Sequence, residues 1–117
     1  MAKTEKEKRI AKEIRAMKAK YKEISGAHGL VAERMIEKAA YQKVTLDDLE
    51  ADLDENGWTE GFRQSASLEP YERKRPSADI YISLSAQYQR TMKQLDAMLP
   101  AVESRATDDE LMAFLSD

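Results

Sequence analysis

The chain of 117 residues contains no cysteine and has only four glycines, three prolines and one histidine. The absence of cysteine excludes disulfides, thiolate metal sites and a cysteine nucleophile. No apolar run approaches the roughly 20 residues that a membrane-spanning helix needs. The basic beginning of the chain is not followed by the apolar segment of a secretory signal. We therefore expect a soluble, intracellular protein.

Few residues are aromatic (7%), while 35% are charged, so a large apolar interior is not expected. Because glycine and proline are scarce and Ala, Glu, Lys, Leu and Met are frequent, the composition favours helix. The length suits one domain with a modest core. The predicted fold class is therefore all-α, a helical hairpin or bundle with a long C-terminal helix.

The net charge of −3 conceals a strong asymmetry along the chain. Residues 1–23 contain nine Lys or Arg against four Glu, whereas residues 44–62 contain seven acids and no base. Such polarity is typical of a basic arm that meets a polyanion, next to an acidic body. The chain divides into a basic N-terminal helix or arm (1–24), a helical core (25–57), a connector loop (58–76), a long oligomerisation helix (77–100) and an acidic tail (101–117).

The first predicted helix, residues 3–24, has a single narrow apolar seam with spacings of four and three residues. A seam this thin favours a coiled-coil or subunit contact over a core within one chain. The long helix, predicted at residues 78–99, carries a second stripe. The candidate contacts between protomers are Ile10, Ile14, Met17, Tyr21, Tyr81, Leu84, Tyr88, Met92 and Leu95.

Between these segments the sequence predicts two further helices. One runs from Leu30 to Tyr41, after a break at residues 25–29. The next begins at Thr45, which has the character of an N-cap, and ends at Asn56 and Gly57. From 58 to 76 no periodicity holds, which predicts a long connector.

The tail contains a capping box, Thr107 to Glu110, before an apolar cluster. A helix of about two turns is not stable alone. It either folds back on the domain or docks into a groove of another protein. The candidate docking residues are Leu111, Met112, Phe114 and Leu115.

One short stretch resembles the opening of a calcium loop, with Asp52, Asp54, Asn56 and Gly57 in suitable order. The twelfth loop position, which should hold a bidentate Glu, is Arg63. The same letters describe an acidic helix that ends at an Asn-Gly cap. We therefore expect no metal site here.

Catalytic constellations are absent from the sequence. The single histidine, His28, has no second histidine or cysteine at ligand spacing, and no serine occupies a nucleophile elbow. No glycine-rich phosphate loop is present. We expect neither enzymatic activity nor a cofactor.

The basic residues are the candidates for binding. Lysines and arginines at this density neutralise phosphates and give a sequence-independent, salt-sensitive affinity for nucleic acid. The alternative is a solvated helix face with internal Glu–Lys pairs. The candidate DNA-binding residues are Lys3, Lys6, Lys8, Arg9, Lys12, Arg15, Lys18 and Lys20, together with Arg73, Lys74 and Arg75 of the "RKR" cluster.

Two longer stretches resemble the phage terminase small subunits, in particular the P27-like group. "LVAERMIEKAAYQKVTLDDLEADLDENGW" is similar to the central block of that family, and "KRPSADIYISLSAQYQRTMKQLDAMLP" to its final long helix. Together they cover roughly residues 30–100. The segment "FRQSASLEP" at 62–70 departs from the pattern, and no clear helix-turn-helix is present.

The resemblance implies a non-enzymatic component of viral genome packaging in the host cytoplasm. Small terminases form ring-like homo-oligomers, bind double-stranded viral DNA, and recruit and regulate the large subunit, which carries the ATPase and nuclease. Two rival hypotheses remain at this point. One is a helical oligomeric adaptor without DNA binding, and the other is a calcium- or metal-responsive regulator.

Overall fold

The computed structural model describes residues 3–24 and 26–99, with three helices and one two-stranded sheet in that part of the chain. Helix α1 spans Glu5–Lys20, helix α2 Gly26–Asn56, strand β1 Thr59–Phe62, strand β2 Tyr71–Lys74 and helix α3 Pro76–Ala97. The prediction of a mainly helical fold is confirmed, and the small sheet is an addition to it. Assembly into a ring stays a prediction.

Helix α1 follows from the local signals in its sequence. The Thr4 hydroxyl accepts a hydrogen bond from the backbone N–H of Glu7 at 3.1 Å, which satisfies one free donor of the first turn. Acidic side chains occupy the first turn and Lys18 and Lys20 the last, so both ends favour the helix dipole. The helix ends close to the predicted boundary.

Helix α2 is one continuous helix of 31 residues, which corrects two expectations. A break does separate α1 from α2, but α2 begins at Gly26 instead of Leu30, and Thr45 lies inside the helix instead of capping a new one. Val44 and Leu46 are buried, with exposed fractions of 4% and 6%. Val44 and Thr45 are β-branched, and the cost in helix propensity is only a few tenths of a kcal/mol for each of them. Burial of this stretch outweighs that cost, so the helix continues.

The predicted stop at the end of α2 is confirmed. Gly57 has a φ of +88°, and its N–H donates to the carbonyl of Leu53 at 2.8 Å. Glycine accepts this left-handed conformation without the steric cost that a Cβ brings.

The segment predicted as a structureless connector contains a hairpin. Strands β1 and β2 pair antiparallel, with Thr59 opposite Lys74 and Phe62 opposite Tyr71. Each strand has only four residues, too few to show a clear period of two in the sequence. The Phe62 and Tyr71 rings meet edge to face at 5.8 Å, a cross-strand pair that stabilises the hairpin.

Helix α3 returns along α2, so that the two helices form an antiparallel pair. Arg75 is its N-cap residue and Pro76 occupies the first turn, where its missing N–H leaves no bond unmade. The Tyr81 hydroxyl donates to Glu50 at 2.8 Å, and the Trp58 and Tyr81 rings meet edge to face at 5.6 Å. These contacts join the hairpin end of α3 to α2.

The core lies where all three helices meet. Alanines on α2 let α1 and α3 approach α2 closely. The buried residues of this core are each at most 5% exposed. The predicted seam of α1 therefore packs inside its own chain, which corrects the expectation that it is too thin for this. The buried members of the cluster are Met17, Tyr21, Ala32, Ile36, Ala39, Ala40 and Leu95.

Candidate nucleic-acid interface

Helix α1 presents a basic surface on the side that faces away from the core. With 3.6 residues per turn, Lys8, Lys12 and Arg15 project opposite the seam of α1. All three are exposed. Of these, only Lys8 has an ion pair with a described carboxylate, Glu5 at 3.3 Å. We call these three residues the outer basic face.

Three other basic residues of α1 lie on its flanks and pair with carboxylates of the other helices. Arg9 donates to Asp48 at 2.6 Å, Lys18 to Glu33 at 3.3 Å, and Lys20 lies 3.7 Å from Asp96. The hydrogen bond with Asp48 raises the pKa of the Arg9 guanidinium. The first two pairs are with the acidic α2 and the third is with α3. These predicted DNA-binding candidates are thus partly neutralised within the chain.

Two candidates lie near the start of α1. Lys3 precedes the N-cap residue and is exposed. The ammonium of Lys6 lies 4.7 Å from the centre of the Tyr41 ring, a cation–π contact with α2. The Lys6 side chain is thus directed toward α2, so its geometry favours anchoring.

The basic cluster at 73–75 is largely occupied by contacts within the chain. Arg75 is only 19% exposed, donates to the carbonyl of Gly57 at 2.8 Å and lies 3.0 Å from Asp52. The guanidinium of Arg73 lies 3.6 Å from the Phe62 ring centre and pairs with the Glu60 carboxylate at 2.9 Å. Arg75 thus ties the end of α2 to the start of α3.

Lys74 completes this basic cluster and pairs with Asp79 at 3.3 Å. Both side chains are more than half exposed, so the pair contributes little and phosphate can replace it. Of the three, Lys74 is the residue that remains most accessible to DNA.

The residues that resembled a calcium loop have other partners in the structure. Asp52 accepts from the side-chain amide of Asn56 at 2.7 Å and from Arg75 at 3.0 Å. The hydrogen bond from Asn56 and then that from Arg75 hold the pKa of Asp52 below its usual value. In residues 3–24 and 26–99, no group of three or more His, Asp or Glu side chains is arranged to hold a metal ion.

The predicted protomer contacts fall into two groups. Met17, Tyr21 and Leu95 are buried in the core of the chain. The predicted contacts that pack against this core are Ile10, Ile14, Tyr88 and Met92. Tyr81 and Leu84 are half-buried along α3. Whether any of these residues also contacts another protomer stays a prediction. The candidate docking residues Leu111, Met112, Phe114 and Leu115 lie outside the described residues.

A groove between α2 and α3 was missed by the sequence reasoning. It has a volume of about 320 Å³, and Lys38, Gln42, Arg90, Thr91 and Gln94 line it with Gln87. Its residues come from two helices about 50 positions apart in the chain, so no local pattern could have shown it. Among the described residues, no carboxylate lines this groove.

No helix within residues 3–24 and 26–99 combines the length and the apolar character needed to cross a membrane. Compared with models of protein families, with curated proteins and with solved structures, the chain has no match.

Proposed function

We propose that this chain is the small terminase subunit of a tailed phage. In this proposal it assembles with copies of itself into a ring in the host cytoplasm, binds double-stranded viral DNA, and recruits and regulates the large subunit. The resemblance of residues 30–100 to the P27-like group supports the proposal, and the outer basic face of α1 is the observation that carries DNA binding.

The outer basic face suits the backbone of duplex DNA. From Lys8 to Arg15 it extends for about 10 Å along the helix, which matches about three base-pair steps of 3.4 Å. Its side chains project from a regular helix that the buried residues Met17 and Tyr21 hold in the core. The positive charges are therefore held in a row, as contacts with successive phosphates require. Such contacts bind without reading sequence.

A charge reversal at the centre of this face tests DNA binding. In the double variant Lys12→Glu with Arg15→Glu, the affinity for a labelled duplex should fall at least tenfold. The slope of log K against log salt should decrease in magnitude by about 2, because two phosphate contacts are lost. The measurement is a fluorescence anisotropy titration at several salt concentrations.

The double variant Arg63→Glu with Lys93→Glu is the matched control, because it makes the same change of charge at two exposed basic residues away from the outer basic face. It should leave the salt slope within the error of the original protein. Equal losses in the test and control variants would reduce the effect to net charge. An unchanged affinity in the double variant would refute this DNA interface.

Self-assembly is tested by the mass in solution. Exposed apolar side chains outside the core, including Leu30, Val31 and Ile82, are about half exposed and available to a second copy. Light scattering on a sizing column should give one species of many protomers at low and at moderate salt. A single 13.3 kDa species would refute the ring.

A helical oligomeric adaptor without DNA binding is the second candidate. The observation that favours it is the neutralisation of the basic residues, since seven of the eleven predicted DNA contacts form ion pairs with carboxylates of the same chain. An oligomer that does not bind duplex DNA at low salt would support the adaptor.

A further inference from the structure

We propose that the C-terminal segment of the chain, residues 107–115, docks in the groove between α2 and α3 of its own chain. The proposal rests on the charge of the groove, on the order of its polar and apolar parts, and on the length of chain available. It is independent of whether the protein binds DNA.

The groove has a basic and polar half near the end of α3. Lys38 and Arg90 supply two positive charges there, and neither has an ion pair with a described carboxylate. The amide of Gln42 is 3% exposed, and its Oε1 has no hydrogen-bond partner within the described residues. Rotation of this amide exchanges Oε1 and Nε2, so it can offer a donor or an acceptor. This half therefore suits a segment of chain with acidic side chains.

Toward the start of α3 the groove continues as an apolar half, a concavity lined, among the described residues, by α3 alone. Its volume there is about 340 Å³, and Ile80, Ser83 and Leu84 contribute to its wall with Asp79. Gln87 lines both halves, which makes them continuous. Ile80 is 55% exposed, more than an isoleucine beside a filled groove would be. This half suits apolar side chains.

Helix α1 leaves this groove uncovered. No residue of α1 lines either half. A polar contact of α1 with α3 is made at Asp96, which accepts from the Tyr21 hydroxyl at 2.5 Å. Thr91 lies about 140° around α3 from Asp96 at 3.6 residues per turn, so the groove and α1 occupy different sides.

The C-terminal segment presents the complementary groups in the matching order. Asp108, Asp109 and Glu110 come first, followed by Leu111, Met112, Phe114 and Leu115. A chain that turns back after the end of α3 meets the basic half of the groove before the apolar half. The acids then lie beside Lys38 and Arg90, and the apolar residues beside Ile80 and Leu84.

The chain is long enough for this return. Arg90 lies nine residues before Leu99, about 14 Å back along α3, while the nine residues from Leu99 to Asp108 span up to about 30 Å when extended. Leu84 lies about 22 Å back, within reach of Leu111 at up to about 40 Å. A second copy is therefore not needed to supply the segment. The docked segment and a partner protein would compete for the same four apolar side chains.

Disulfide trapping in the full chain tests the docking, and the absence of native cysteine makes it clean. The test variant is Ser83→Cys with Ala113→Cys, because Ser83 lines the apolar half. The control is Gln89→Cys with Ala113→Cys. Gln89 is exposed and nearer to the tail along α3, but lies about 120° around the helix from Ser83. A disulfide needs the two Cα atoms within about 7 Å.

We expect a bond within one chain to form several-fold faster in the Ser83 variant than in the Gln89 control. The readouts are the mobility of the unreduced protein in a denaturing gel and the mass of its peptides. Adding Arg90→Glu should slow the bond several-fold, whereas Lys93→Glu, an exposed lysine of α3 that does not line the groove, should not. Equal rates in the two cysteine variants, or a bond that joins two chains, would overturn the docking within one chain.

Discussion

Replacement of Leu95 by alanine tests how the core of this protein is built. Leu95 is 0% exposed and belongs to the cluster in which all three helices meet. Three residues of that cluster are alanines of α2, at positions 32, 39 and 40, whose side chains cannot extend into a new cavity. We therefore expect little relaxation around the substitution.

The expected loss follows from measured Leu→Ala substitutions. These cost about 2–5 kcal/mol, with the higher values at sites that do not collapse. For Leu95→Ala we expect about 3–4 kcal/mol. If the free energy of unfolding falls by about 1.5 kcal/mol per molar urea, within the usual range for small proteins, the urea midpoint of the variant is lower by about 2 M.

The assay is urea unfolding followed by circular dichroism at 222 nm, at two well-separated protein concentrations. The control is Ile82→Ala on the same helix, where the side chain is 50% exposed, and the change should stay within about 0.5 kcal/mol. Because Leu95 packs within its own chain, the loss should be the same at both concentrations.

Two results would refute this reasoning. If Leu95→Ala lowered the midpoint no more than Ile82→Ala, Leu95 would not be a core residue. If the loss in the Leu95 variant depended on protein concentration and that of the control did not, Leu95 would act between protomers, because mass action then enters the stability.

Three further substitutions test local features. Gly57→Ala should destabilise the protein by about 1–2 kcal/mol because Gly57 has a positive φ. Gly61→Ala, with open space around the added Cβ, should not. Thermal unfolding compares the two variants, and equal effects would contradict the role of Gly57 at the end of α2. Asp52→Asn should lower the melting temperature at pH 7, because hydrogen bonds, above all that from Asn56, keep the pKa of this carboxylate low. The stabilisation is present above the unfolded pKa of about 3.9 and is lost as pH falls through the lower folded value, so the two melting temperatures should converge below about pH 4; a constant gap would contradict it. Tyr21→Phe removes a hydrogen bond to a half-exposed carboxylate on α3 and should cost about 1 kcal/mol in urea unfolding, while no change would exclude that bond.

Some features of the fold could be predicted from the sequence because they depend on residues within about four positions of each other. Thr4 and the charges of α1 explain its capping, Pro76 explains the start of α3, and Gly57 explains the end of α2. The spacing of the apolar residues of α1 also identified the side that is buried.

Other features could not be read from local signals. The capping pattern at Thr45 is real in the sequence, but burial of Val44 and Leu46 keeps α2 continuous. The hairpin depends on pairing between segments separated by a loop, and strands of four residues carry little periodic signal. Both errors arise because tertiary packing outweighs preferences of a few tenths of a kcal/mol.

The sequence by itself determined the helical character of this protein and the concentration of positive charge in its first helix. Only the tertiary structure decided which of those charges remain available. Arg9 pairs with Asp48, 39 positions away, whereas Lys12 and Arg15, about 60° and 120° around the same helix from Arg9, have no ion pair with a described carboxylate. The groove that brings Lys38 and Arg90 together likewise exists only after α2 and α3 pack. Charge is a property of the composition, but its pairing depends on distances that folding alone establishes.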